Sequence, residues 1–253
     1  MLSVKSIPVM NDNYIWLVHN NENHCIVVDP GVSQPVIDYI TNNEMILDAI
    51  IVTHHHYDHI DGIPTLLKHY PNIDIIGPKC PSLTNLTHTV THTETLSLLG
   101  SEFSILSLPG HTLEHIGYLN EGNLFCGDVL FSAGCGRLLG GSAEQMHASL
   151  NTLMNLPNKT NVFCAHEYTA ANVEFAIAVE PQNQNLIEYQ KQVLSLRKNS
   201  QSTLPTTIGF EKLINPFLRV KQEDLLCNLR DKVQSPLSSL EVFRYLRNWK
   251  NEF

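Results

Sequence analysis

The spacing of apolar and polar positions divides the chain into two stretches of different character. Up to about residue 168, short apolar runs alternate with amphipathic segments. Runs at 4–9, 14–19 and 25–29 predict strands separated by Asn-rich turns. Asp29-Pro30-Gly31 breaks the pattern, and 34–42 predicts a helix. The run 48–53 predicts a further strand. Its centre, Ala49-Ile50-Ile51-Val52, is continuously apolar, as in a strand buried on both faces. A helix is expected over 63–69, with Pro64 in its first turn. Further strands are expected at 73–76, 103–108, 117–120, 124–126 and 161–164. Such alternation predicts mixed sheets covered by helices. From about residue 169 the pattern turns helical, over 170–179, 186–198, 222–232 and 237–249, with a Pro-containing loop over 204–216. The expected organisation is a domain of mixed sheets and helices over 1–168 and a small helical domain over 169–253.

Composition changes this picture little. The chain has 253 residues, 43% of them hydrophobic, with no apolar run long enough for a membrane span. Its first residues lack the apolar core of a secretory signal, so a cytoplasmic location is expected. Six scattered cysteines, with no CxxC pair, read as free thiols. The net charge of −9 argues against nucleic-acid binding. An anionic substrate would require the few cations to gather locally.

Histidine is the outlier, at 13 residues against 16 Lys plus Arg. Thr53-His54-His55-His56-Tyr57-Asp58-His59 directly follows the buried strand. At a strand end alternate side chains share a side, so His54 and His56 can converge on one ion while His55 faces away. A turn can aim Asp58 and His59 at a second position. Imidazole and carboxylate together suit zinc, iron or manganese. Three more donors follow strands and small residues: His111 after Pro109-Gly110, Asp128 after Gly127, and His166 after Ala165. Small residues let the backbone approach an ion closely. His19, His24, His69, His88, His92, His115 and His147 read as ordinary polar residues. His115, four residues after His111, is the nearest to an exception.

The Thr53–His59 stretch resembles the T-H-x-H-x-D-H signature of the metallo-β-lactamase superfamily, which includes thioesterases, β-lactamases, nucleases and redox proteins. Other stretches are similar to the glyoxalase II, or hydroxyacylglutathione hydrolase, family. They are Pro8-Val9-Met10-Asn11-Asp12-Asn13-Tyr14, Asp29-Pro30-Gly31, Pro109-Gly110-His111-Thr112, Gly127-Asp128, Gly134-Cys135-Gly136-Arg137, His166-Glu167-Tyr168-Thr169 and Asn215-Pro216-Phe217-Leu218-Arg219. The resemblance implies an α/β fold, a four-layer αββα sandwich followed by a C-terminal α-helical domain. It implies two divalent metal ions, zinc first, with iron or manganese as alternatives. His54, His56 and His111 would hold one; Asp58, His59 and His166 the other; Asp128 would bridge them. It also implies glutathione binding by Arg137, Tyr168, Arg247 and Lys250. Leu139 departs from a position that is often aromatic in the family's animal members.

The implied reaction is hydrolysis of S-D-lactoylglutathione to D-lactate and glutathione, a step in methylglyoxal detoxification. A hydroxide bridging the two metals is the expected nucleophile, with Asp58 and Asp128 as the catalytic carboxylates. Cys126 and Cys135 are expected to be structural. The expected partner is a small-molecule glutathione thioester acting on a monomer, with neither nucleic acid nor membrane. Two alternatives remain open: an enzyme like the mononuclear-iron persulfide dioxygenases, and a non-catalytic metal-binding module of the same fold. Metal stoichiometry separates the first from a two-metal hydrolase, and a thioester assay on metal-loaded protein tests the second.

Overall fold

The computed structural model describes residues 2–230 and 238–253. Two compact units emerge, one of Met1–Ser107 with Glu114–Gly127, the other of Leu108–Leu113 with Asp128–Phe253. The boundary expected at 168 therefore falls within the second unit.

In the first unit the apolar run 49–52 does lie inside a sheet. The strands β1 (Ser3–Val9), β2 (Asn13–His19), β3 (His24–Val28), β4 (Ile46–Ile51), β5 (Asp74–Pro78) and β6 (His88–Val90) neighbour one another in chain order. The first three meet antiparallel and the last four parallel. The helices α1 (Gln34–Asn42), α2 (Tyr57–Ile60) and α3 (Ile63–His69) lie in the connections between the parallel strands. Val27, Ile50 and Ile75 stand in register across β3, β4 and β5. They share one core with Val36 and Ile40 of α1 and Ile63 and Leu66 of α3. A period-two strand face thus meets the apolar stripe of each helix.

A second, antiparallel sheet in this unit is the meander β7 (Thr95–Leu98), β8 (Ser101–Ser107), β9 (Ile116–Asn120) and β10 (Asn123–Gly127). Tyr118 of β9 is fully buried and donates its hydroxyl to the carbonyls of Val52 (2.8 Å) and Ile76 (3.2 Å). It satisfies its own polar tip on the backbone of the first sheet and so ties the two sheets together.

The first regular element of the second unit is the hairpin β11 (Leu130–Phe131) and β12 (Gly134–Cys135), followed by α4 (Ala143–Met154). α4 has no counterpart among the helices expected from the sequence. Its start is a capping box, in which Ser142 accepts from Gln145 N and the Gln145 side chain returns to Ser142 N. Next come β13 (Asn161–Cys164), α5 (Thr169–Val179), α6 (Gln184–Lys198), β14 (Thr206–Thr207), α7 (Ile208–Ile214), α8 (Glu223–Leu229) and α9 (Ser239–Glu252). β13 and β14 pair antiparallel. The loop expected over 204–216 therefore contains β14 and α7, because Thr207 caps the helix through Phe210 N. Of the helices expected over 222–232 and 237–249, residues 231, 232 and 237 lie outside the described residues.

A buried polar hub organises this unit. The two Glu211 oxygens accept from Ser132 Oγ (2.9 Å), Thr206 Oγ1 (2.7 Å), Ala133 N (2.8 Å) and Asn215 Nδ2 (3.0 Å). Burial pushes the Glu211 carboxyl up while these donors pull it back. Asn215 also donates to the carbonyls of Phe131 (3.1 Å) and Gly134 (2.9 Å), gripping both strands of the hairpin. Arg219 forms a two-point pair with buried Glu180. All six cysteines are free, four of them buried, as the sequence predicted. Among the described residues no helix is long and apolar enough to cross a membrane.

Candidate metal centre

The first unit gathers His54, His56, Asp58 and His59 immediately after β4, where the chain leaves the sheet and enters α2. His54 Nε2 lies 3.0 Å from His56 Nδ1, and Asp58 Oδ2 lies 3.7 Å from His59 Nε2. Two atoms bound to one tetrahedral ion at about 2.0–2.1 Å are separated by about 3.3 Å. Both pairs bracket that value, so the donors fit metal ligands.

Asp29 organises the donors behind them. Its Oδ1 accepts from Thr53 N (2.7 Å) and its Oδ2 from Thr53 Oγ1 (2.7 Å) and His59 Nδ1 (3.0 Å). The Thr53 hydroxyl, having given its proton to Asp29, accepts from His54 Nδ1 at 3.0 Å. Protons on Nδ1 leave the Nε2 lone pairs of His54 and His59 for coordination. Asn13 Nδ2 donates to Asp58 Oδ2 at 3.0 Å and fixes that carboxylate. Gly127 is compulsory here. It has φ +48°, and an added Cβ would stand 2.4 Å from Thr53 Oγ1 and 2.8 Å from His115 Nε2. His115, expected to be ordinary, is fully buried and stacks on His54 with ring centroids 4.6 Å apart.

The second unit gathers His111, Asp128 and His166, all buried. One imidazole addresses each carboxylate oxygen: His111 Nε2 lies 3.3 Å from Asp128 Oδ2, and His166 Nε2 lies 3.3 Å from Asp128 Oδ1. A carboxylate shared in this way suits a bridging ligand, and both separations match that expected for ligands of a common ion. His111 Nδ1 donates to the Arg137 carbonyl (2.7 Å), which again sets the tautomer. Gly136 permits the approach, since a Cβ there would stand 1.9 Å from Asp128 O.

The same unit holds the residues expected to bind glutathione. Arg137 is exposed. Tyr168 is partly exposed, and its ring stacks on His166 at 4.6 Å and 3°. Arg247 is only 3% exposed, so it does not lie on a solvated helix face. It donates to Cys135 O (2.8 Å) and lies over the Phe217 ring. Lys250 is half-buried, donates to Ala171 O (2.8 Å) and stands over Phe175. Its pKa is pushed down to about 8, first by burial and then by the charges of Arg247 and Arg137. Lys250 thus stands near two further cations. Leu139 is 60% exposed. Burial pushes the Cys135 thiol up, which suits a structural residue.

Asp29, Asn13 and His115 are not among the site residues expected from the sequence. Asp29-Pro30-Gly31 stood out as a motif, but its chemistry depends on contacts to residues 24 and 30 positions away.

The chain is similar to known proteins along its length. Residues 11–79 and 85–166 match the family "Metallo-beta-lactamase superfamily", and residues 167–253 match "Hydroxyacylglutathione hydrolase C-terminus". The chain is 52% identical to a hydroxyacylglutathione hydrolase of Aliivibrio fischeri over 253 residues, covering 100% of both. In fold it is similar to a crystal structure of ETHE1 from Myxococcus xanthus, with TM-score 0.67, 21% identity, and coverage of 98% of this chain and 99% of that one. It is also similar to the crystal structure of the BLEG-1 B3 metallo-β-lactamase, with TM-score 0.65, 24% identity, and coverage of 85% and 99%. The fold is therefore an α/β sandwich with a C-terminal helical region, and the chain belongs to the hydroxyacylglutathione hydrolase family of the metallo-β-lactamase superfamily.

Proposed function

We propose that the chain hydrolyses S-2-hydroxyacylglutathione thioesters, S-D-lactoylglutathione foremost, to glutathione and the free hydroxy acid. The observation that carries this is identity over the full length, including the helical region, to proteins named for that reaction. The superfamily match ends at 166 and the C-terminal match begins at 167, which supports a catalytic domain over 1–168 and a substrate-binding domain over 169–253.

The ligand assignment belongs to the same proposal: His54, His56 and His111 for one divalent ion, Asp58, His59 and His166 for the other, Asp128 between them. Donor spacing within each unit supports it. Nitrogen and carboxylate donors suit zinc, and also iron or manganese. Bound ions would supply a Lewis acid for the thioester carbonyl and water acidified to a pKa of about 7.

The protein's own groups do the rest. Asp29 and Thr53 hold His54 and His59 in the coordinating tautomer, and the Arg137 carbonyl does so for His111. Asp58, fixed by Asn13, and Asp128 are the catalytic carboxylates. Arg137 and Lys250 attract the carboxylates of the tripeptide, and Tyr168 lies against its chain. Arg247, through Cys135 O, holds the loop that presents Arg137. The leaving thiolate has a conjugate-acid pKa of only about 8.5, so no side chain need protonate it. A cytoplasmic monomer completes the reading.

The test is thiol release from S-D-lactoylglutathione by purified protein after metal quantification. Metal-loaded protein that hydrolyses no glutathione thioester overturns the proposal. Oxygen uptake with glutathione persulfide would point to the dioxygenase chemistry instead.

A further inference from the structure

His55, between the assigned ligands His54 and His56 in sequence, makes a polar contact of its own. Its Nδ1 hydrogen-bonds Glu114 Oε1, and Cys80 lies beside that pair. The three residues come from three places in the first unit: the segment after β4, the turn after β5 and the segment before β9. One nitrogen, one sulfur and one oxygen donor atom lie within 4.8 Å of one another.

We propose that His55, Cys80 and Glu114 form an additional site for a zinc-class ion, beyond the centre assigned to catalysis. Three protein ligands with an open fourth position are a common zinc arrangement, completed by water. The side chains of His55 and Glu114 are 30% and 19% exposed, and Cys80 is half-buried, so an ion and its water can arrive from solvent. Tetrahedral binding with bonds of about 2.0–2.3 Å places such donors about 3.3–3.5 Å apart. The widest pair must then close by about 1.3 Å at most, which side-chain rotation supplies. The ion displaces the thiol proton to solvent, while the neutral His55 ring keeps its single proton on the nitrogen that does not bind. Thiolate makes the site prefer zinc or cadmium to magnesium or calcium. The site stands independently of the proposed thioester chemistry.

Cadmium reports it directly, because the assigned catalytic ligands contain no sulfur and a cadmium–thiolate absorbance requires one. The metal-loaded protein is titrated with cadmium in a Cys227→Ser background, which removes the exposed thiol. One equivalent should give a thiolate charge-transfer band that is absent in Cys80→Ser and unaffected by excess magnesium. Glu114→Gln should weaken this binding by about 10-fold or more. Thioesterase activity and the metal content measured before titration should stay unchanged in both variants. Absence of the band in the parent overturns the site. An undiminished titration in Glu114→Gln also overturns it, since a lone thiol would then be capturing the metal.

Discussion

Asp29 holds His59: its Oδ2 accepts from the imidazole Nδ1 at 3.0 Å, and their side chains are 5% and 1% exposed. The carboxylate fixes the tautomer and orientation of an assigned ligand without being assigned as one itself. Asp29→Asn should keep the fold and lower metal affinity by about 10–100-fold. Competition with a chelator measures this. Unchanged affinity would show that His59 is oriented by something else.

Asp128 meets one imidazole on each oxygen, so its loss should be felt at both ions. Asp128→Ala is expected to lose bound metal and to lower thioester hydrolysis by more than about 100-fold, above the usual effect of removing an outer partner. Circular dichroism should show a folded chain. Normal turnover would sink the two-metal assignment.

Lys250 carries its charge only below about pH 8. Above that pH the ammonium loses its proton and its hold on a carboxylate. The prediction is that kcat/KM, which reports the free enzyme, falls as pH rises through 8, chiefly through KM. Lys250→Ala should raise KM at pH 7 and lack this inflection. The inflection would be misassigned if the variant retained it. Lys250 is a cleaner probe than Arg247, whose removal would also leave the Cys135 carbonyl without its buried donor.

Glu211 accepts two donors on each oxygen. Glu211→Gln replaces one acceptor by an NH2 group facing donors, which should destabilise the protein by about 1–3 kcal/mol. Urea unfolding measures the loss, and metal content at low temperature should be unchanged.

The order of these elements was legible where one short pattern dominated. The apolar run 49–52 and the donors after it form a continuous segment, so the buried strand could be read together with the cluster it carries. α4 was not read, because its buried Met146, Ser149, Leu150 and Leu153 are interleaved with polar residues. Its usable signal was the Ser142-to-Gln145 capping spacing. α7 lies between Pro205 and Pro216, which made its segment look like a loop. Arg247 occupies the apolar face of α9, four residues after Phe243, and that position already spoke against a solvated side chain. The contacts of Asp29 depend on tertiary structure, and no local pattern encodes them.

Asn215 grips both strands of the β11–β12 hairpin, Glu211 accepts from residues beside it, and Arg247 bonds its last carbonyl. A chain stopped at residue 168 would carry every assigned metal donor but none of these three residues. Truncation would therefore not release a minimal catalyst. It would unfasten the hairpin that leads from Asp128 to Arg137, making the helical region a condition for the catalytic half to hold its shape.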